Sequence, residues 1–230
     1  LNHNRRVLGP DGTAQMVLEY AEGVTIGACD PELIVLRFDT AAGTKAVWWN
    51  YTAHALCAGP SHDFYTADFP GVACRAIEAE FPAATALFCN GAAGNVHPRR
   101  CMRGDLEAVT SIGRELGAQA AGAARRAAPV ASPTVQFASD VLSFANRVDP
   151  SIQTQVEIGC LRLGDVVIGF MPGEPFVEFQ LAFKERLRPL IGMFVGYTND
   201  WCGYVPTTGA YATGGYGVDL CTTDPAAYSR

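Results

Sequence analysis

The sequence predicts an α/β protein, a mixed sheet flanked by helices, and three observations carry that prediction. β-rich runs and helical patterns alternate through the middle of the chain, which favours helices packed on a sheet. Gly, Pro and Asp punctuate the junctions between them. Hydrophobic residues make up 49% and charged residues 17%, enough apolar side chain to build a core and too much for disorder. A chain of 230 residues buries roughly 70% of its unfolded surface as one domain, so residues 1–230 are expected to form a single domain.

Three β-rich runs come first, QMVLEYA (15–21), ELIVLRF (32–38) and TKAVWWNYT (44–52). Asp68 then precedes a face of Phe69, Val72, Ala73, Ala76, Ile77 and Glu80, which predicts a helix to about Phe81 with Asp68 over its orphan amides. ATALFC (84–89) reads as a short buried strand, followed by a Gly-rich loop. Asp105 opens an Ala-rich helix to about Arg126, with Leu106, Val109, Ile112, Leu116 and Ala120 at helical spacing. Beyond a Pro-marked link at 127–133, strands are expected at TVQFAS, QVEIGCLRLG and DVVIGF, a helix over 174–188, and a strand at GMFVGY. The Gly- and Tyr-rich tail shows little periodicity.

Several function classes are excluded or disfavoured at this level. The net charge of −6 with scattered Lys and Arg leaves no phosphate-tracking footprint, so nucleic acid is not an expected partner. No apolar run approaches the ~20 residues of a membrane span. The chain begins at Leu1, without a leader pattern, and enters motif-like residues at once; residues upstream are expected to have been lost by processing or truncation. Eight cysteines lack the C-x-x-C pairs of a structural zinc site. Cys89 with Cys101, and Cys202 with Cys221, are spaced to close disulfide loops; buried free thiols explain the same residues equally well.

Ligands in open α/β sheets bind beyond the carboxyl ends of strands. Three loops in such positions carry unusual polar content: NYTAHAL with His54, FCNGAAGNVHPRR with Asn95 and His97, and FMPGEP with Glu174. A fourth, the tail with Tyr204 and Tyr216, follows GMFVGY. Each also has a purely structural explanation. His54 fits as a core histidine, Asn95 to Pro98 as a turn, Glu174 as a carboxylate at a helix N-terminus, and the tyrosines as packing aromatics.

Taken together and in order, NRR (4–6), NYTAH (50–54), TADFPG (66–71), LFCNGAAGNVHPR (87–99), MPGE (171–174), GYTNDWCGYVPT (196–207) and GGY (214–216) resemble the neutral ceramidase family, particularly its shorter bacterial relatives. The resemblance runs from residue 4 to about 218 and implies a ceramidase-like catalytic domain lacking its N-terminal part. Members of that family are zinc amidases that hydrolyse the N-acyl bond of ceramide. The resemblance places zinc ligands on His54, Glu174 and Tyr204, and suggests Arg5 and Tyr216 as the pair that polarises the scissile carbonyl. It also implies a lipid or small-molecule amide substrate and a secreted or periplasmic location.

Two departures shape the expectation. The family's first zinc histidine and its proton-shuttling histidine lie upstream of the Asn-Arg motif, where this chain starts; His3 is too near Arg5 to be that ligand. A companion chain or a second copy is one source for the missing group. Where ceramidases carry Gly-Asp-Val-Ser-Pro, this chain has Gly94-Asn95-Val96-His97-Pro98, so His97 stands in place of a catalytic serine, as a general base or substitute ligand. The leading expectation is a zinc-dependent amide hydrolase with His97, Arg5, Tyr216 and Asn95 as catalytic candidates. The alternative is a structural or assembly protein that keeps the fold without the activity.

Overall fold

The computed structural model describes residues 1–24, 27–104, 106–130 and 134–224. Three short strands, β1 (Asn2–Asn4), β2 (Arg6–Leu8) and β3 (Ala14–Met16), precede the longer β4 (Ile34–Thr40) and β5 (Gly43–Tyr51). Helix α1 (Asp68–Glu80), β6 (Thr85–Asn90), β7 (Val96–Pro98) and helix α2 (Leu106–Arg126) follow. The second half runs β8 (Val135–Ala145), β9 (Gln153–Leu163), β10 (Val166–Phe170), β11 (Glu174–Pro175), α3 (Val177–Leu187), β12 (Ile191–Val195) and β13 (Tyr204–Val205), then a 3-10 turn at Thr208–Ala212.

Two mixed sheets form the body. One has the order β4-β5-β6, with β4 antiparallel and β6 parallel to β5. The other has the order β12-β10-β9-β8, with β12 parallel to β10 and the remaining pairs antiparallel. The alternation in TKAVWWNY explains how they stack, because successive strand residues face opposite sides. Val47, Trp49 and Tyr51 point into a core shared with Phe69, Ile77, Ile112 and Leu116 of α1 and α2. Trp48 points the other way, into a second core with Ile168 and Met193 of the four-stranded sheet. Helix α3 covers that sheet's outer face, where Phe183 meets Phe194 with ring centroids 5.7 Å apart. The layers are therefore two helices, sheet, sheet, helix.

The small residues of α2 have a packing role. A side chain at Gly113 would come within 2.8 Å of the Phe69 carbonyl oxygen, and one at Gly117 within 2.9 Å of that of Ala73. These two glycines, one turn apart, let α2 lie directly on the backbone of α1.

Most expected elements form, with three differences. Of the 15–21 run only Gln15 and Met16 are in a strand, and Met16, Leu18 and Tyr20 stay partly exposed, because among the described strands β3 pairs with β2 alone. The third helix begins at Val177 instead of residue 174, since Glu174 and Pro175 pair as a strand with Tyr204 and Val205. Asp68 takes the Phe69 amide but also those of Cys57 and Ala58, latching the loop after β5 to the helix. Asp105 lies outside the described residues. The anticipated Cys89–Cys101 and Cys202–Cys221 disulfides are not formed: all eight cysteines are free thiols, with Cys89 in the inter-sheet core and Cys101 buried elsewhere.

Trp49 is fully buried and its ring lies 4.5 Å from that of Phe88. Trp49→Ala is expected to cost about 3–5 kcal/mol, read as a lower denaturant midpoint with an unchanged slope.

Candidate functional site

The parallel pairs β5/β6 and β10/β12 each bring two carboxyl ends to the same edge of their sheet. His54 lies just beyond β5, the loop 91–95 beyond β6, Glu174 beyond β10, and Tyr197 beyond β12. Hydrogen bonds cross between these loops: the amide of His54 donates to the Val96 carbonyl at 3.1 Å, Gly94 to Pro175 at 2.8 Å, and Tyr197 to Gly173 at 3.0 Å. A side chain at Gly94 would collide with the Glu174 carbonyl oxygen. The glycine serves an approach of backbone to backbone, which sets the spacing between the His97 and Glu174 segments.

His54 and Glu174, 120 residues apart in sequence, meet at 2.7 Å between Nε2 and Oε2. The other ring nitrogen of His54, Nδ1, lies 3.0 Å from the Val96 carbonyl oxygen and must donate to it, because a carbonyl only accepts. The 2.7 Å contact with Glu174 Oε2 then calls for a second ring proton, on Nε2, which donates to the carboxylate. The phenols of Tyr204 and Tyr197 lie beside Glu174 and interact with its carboxylate. Burial pushes the Glu174 carboxyl up, but the hydrogen bond and charge of His54, with help from Tyr204 and Arg5, outweigh it and hold it below the usual range. Both phenols shift up, first through burial; for Tyr197 the charge of Glu174 adds to this. They remain protonated donors.

Beside this group, β1 and β7 pair so that His3 lies directly across from His97. Arg5 follows β1 and is 2% exposed. Its guanidinium donates to the Gly94 carbonyl at 2.7 Å and contacts His97 Nε2 at 2.8 Å. It also lies 4.7 Å from the Tyr216 ring centroid and 5.4 Å from that of Tyr204. Arginine cannot accept, so His97 Nε2 carries a lone pair and the ring proton sits on Nδ1, which has no partner among the described residues. Burial first, then the charge of Arg5, with His54 and His3 behind it, lower the His97 pKa to about 2. The imidazole is neutral and offers a donor where a general base needs a lone pair.

The structure thus brings together six of the seven residues singled out in the sequence: His54, Glu174, Tyr204, Arg5, His97 and Tyr216. Asn95 is the exception. Its Oδ1 accepts the Val177 amide at 2.8 Å and its Nδ2 donates to Glu178 at 2.9 Å, so both ends of the side chain serve the N-terminus of α3. His3 is buried, neither ring nitrogen has a hydrogen-bond partner among the described residues, and its ring lies 6.3 Å from that of His97, at the edge of the cluster. Tyr197 is the residue sequence reasoning missed. It lies within the GYTNDWCGYVPT motif, just after GMFV at the same strand edge as the others, but that motif pointed to Tyr204 and not to it.

No protein-family model and no curated protein sequence matches the chain. Among solved structures, it superimposes on a ceramidase solved in complex with C2 at a TM-score of 0.66 with 16% identity, over 99% of this chain and 49% of that one. It also matches a neutral ceramidase from Pseudomonas aeruginosa at a TM-score of 0.60 with 16% identity, over 86% of this chain and 44% of that one. The fold is ceramidase-like. The chain spans about half the length of these structures, and at this identity the likeness concerns architecture.

In this ceramidase-like fold, a cavity of about 690 Å³ opens beside the cluster. His54 and Tyr197 line its polar end, and Phe170, Leu161 and Phe137 carry it across the four-stranded sheet from β12 toward β8. Among the described residues, no group of three or more His, Cys, Asp or Glu side chains surrounds a common point, and no helix is long and apolar enough to cross a membrane. The donors that do converge are one imidazole, one carboxylate and phenols.

Two outcomes follow from this geometry. The unfolded His97 imidazole binds a proton below about 6.5 while the folded one stays neutral down to about 2, so the unfolded state binds more protons and stability falls as pH drops through that window. His97→Gln is expected to flatten the acid limb between about pH 6.5 and 5, above the carboxylate range, in urea melts compared with the unsubstituted protein. Asn95→Ala removes the acceptor for the first amide of α3 and is expected to cost about 1–2 kcal/mol, measured in the same melts.

Proposed function

We propose that this chain carries part of a zinc-dependent hydrolase that cleaves the amide bond of an N-acyl substrate with an apolar tail. The observation that supports it best is the convergence of His54, Glu174 and Tyr204 from three separate loops beside an apolar cavity. The donor chemistry fits zinc. The Val96 carbonyl holds the His54 proton on Nδ1, the usual outer partner of a metal-binding imidazole, and leaves Nε2 facing a carboxylate held below its ordinary pKa. A proton closes that gap in the free protein, and a metal ion competes for the same electrons once the proton leaves.

In this reading His54, Glu174 and Tyr204 hold the ion, and the remaining protein ligand comes from outside residues 1–230, from upstream sequence or a companion chain. Bound there, zinc supplies Lewis acidity to the carbonyl and lowers the pKa of water to about 7. The chain's own groups do the rest. Arg5, stacked between Tyr204 and Tyr216 and tied to Gly94, presents fixed positive charge where negative charge develops on the carbonyl oxygen. His97, neutral and buried, accepts from Arg5 and holds that guanidinium in place. The cavity takes the apolar tail and excludes water from the amide.

Zinc titration by calorimetry is expected to give one equivalent per chain, with protons released on binding and affinity falling at acid pH. His54→Ala should abolish binding. Arg5→Met should leave zinc content unchanged while lowering hydrolysis of an N-acyl amide by about a hundredfold or more. Absence of stoichiometric zinc, with folding and assembly intact, would instead support a structural protein on a ceramidase-like fold.

A further inference from the structure

We propose that Tyr197 is a specificity-determining residue, whose ring, strapped to the Glu174 strand end and backed by Trp201, closes the apolar cavity and fixes how far a tail can enter. The proposal rests on the hydrolase reading for its role in catalysis, but the tail selection it describes does not need zinc. Four observations meet at this side chain. Its ring lines the cavity together with His54 and Thr198. Its phenol lies close enough to Glu174 to feel that carboxylate's charge. Its backbone amide bonds to Gly173, and that of Thr198 to Met171, so the segment is strapped to the strand end that leads to Glu174. Its outer side stacks on Trp201, with centroids 6.4 Å apart and an interplanar angle of 29°.

The backbone adds to this. Tyr197 has φ of 59° and Asn199 has φ of 66°, a region that a bulky aromatic residue rarely occupies. The left-handed turn carries the chain off β12 and sets the ring across the cavity. Such a conformation persists only where surrounding contacts hold it, and here the contacts are Gly173, Trp201 and Glu174. Tyr204, the other phenol on Glu174, lines no part of this cavity.

The test uses the full chain and straight-chain fatty acids from octanoate to palmitate, displacing anilinonaphthalene sulfonate, without added metal. The unsubstituted protein is expected to show a preferred chain length. Tyr197→Ala should move that preference to longer acids, Tyr197→Phe should blunt it, and Phe137→Asp, on the exposed far wall, should weaken all of them by about tenfold. With zinc and an N-acyl amide series, Tyr197→Phe should lower kcat with little change in KM. No fatty-acid binding by the folded protein, or an unchanged ranking in a folded Tyr197→Ala, overturns the proposal. A shifted ranking in a protein that binds no zinc retains it and removes the hydrolase reading instead.

Discussion

The contact between His54 and Glu174 is the constraint around which the rest of the site is arranged. Two groups that both carry lone pairs are held at 2.7 Å in a largely buried setting, and such a pair needs a cation to be stable. Everything nearby supplies positive charge or hydrogen-bond donation toward the carboxylate: the imidazole itself, two tyrosine hydroxyls, and the guanidinium of Arg5. The local structure follows from that imbalance, including the neutral state of His97, which borders a region already rich in positive charge.

The fold delivers these groups by an economical route. Two pairs of parallel strands, one in each sheet, end on the same side, and each contributes the first residues of the loop that follows. Side chains placed at strand ends inherit the rigidity of the sheet beneath them, whereas the same residues deep in a loop would not. Backbone hydrogen bonds between the loops, from His54 to Val96 and from Gly94 to Pro175, then set the separations. Buried polar anchors reinforce the frame from behind: Gln180 of α3 bonds to Thr52 and to the Ala92 amide, tying the helix to the ends of β5 and β6.

The inter-sheet cavity shows the same principle acting on apolar groups. Trp48, Phe170 and Leu161 belong to strands of the two facing sheets, and their inward side chains face one another across a gap that the second core only partly fills. Its polar end coincides with His54 and Tyr197, which joins an apolar volume to the hydrogen-bonded cluster and gives the site two chemically distinct halves.

The α/β class, the alternation in TKAVWWNY, the helical faces around Ile77 and Ile112, and the four polar strand-end loops were legible from residue order, because they depend on periods of two and 3.6 along the chain. The roles of individual side chains were less so. Asn95 and His97 are two positions apart and read alike as loop residues, yet one caps α3 and the other seats Arg5. Glu174 reads as the start of a helix but pairs as a strand with Tyr204, and Tyr197 shares a motif with Tyr204 that gives it no separate role. Local order decides which way a backbone runs and which face it buries. Only the tertiary structure decides which hydrogen-bond partner a polar side chain finds, since that depends on groups more than a hundred residues away, as it does for His54 and Glu174.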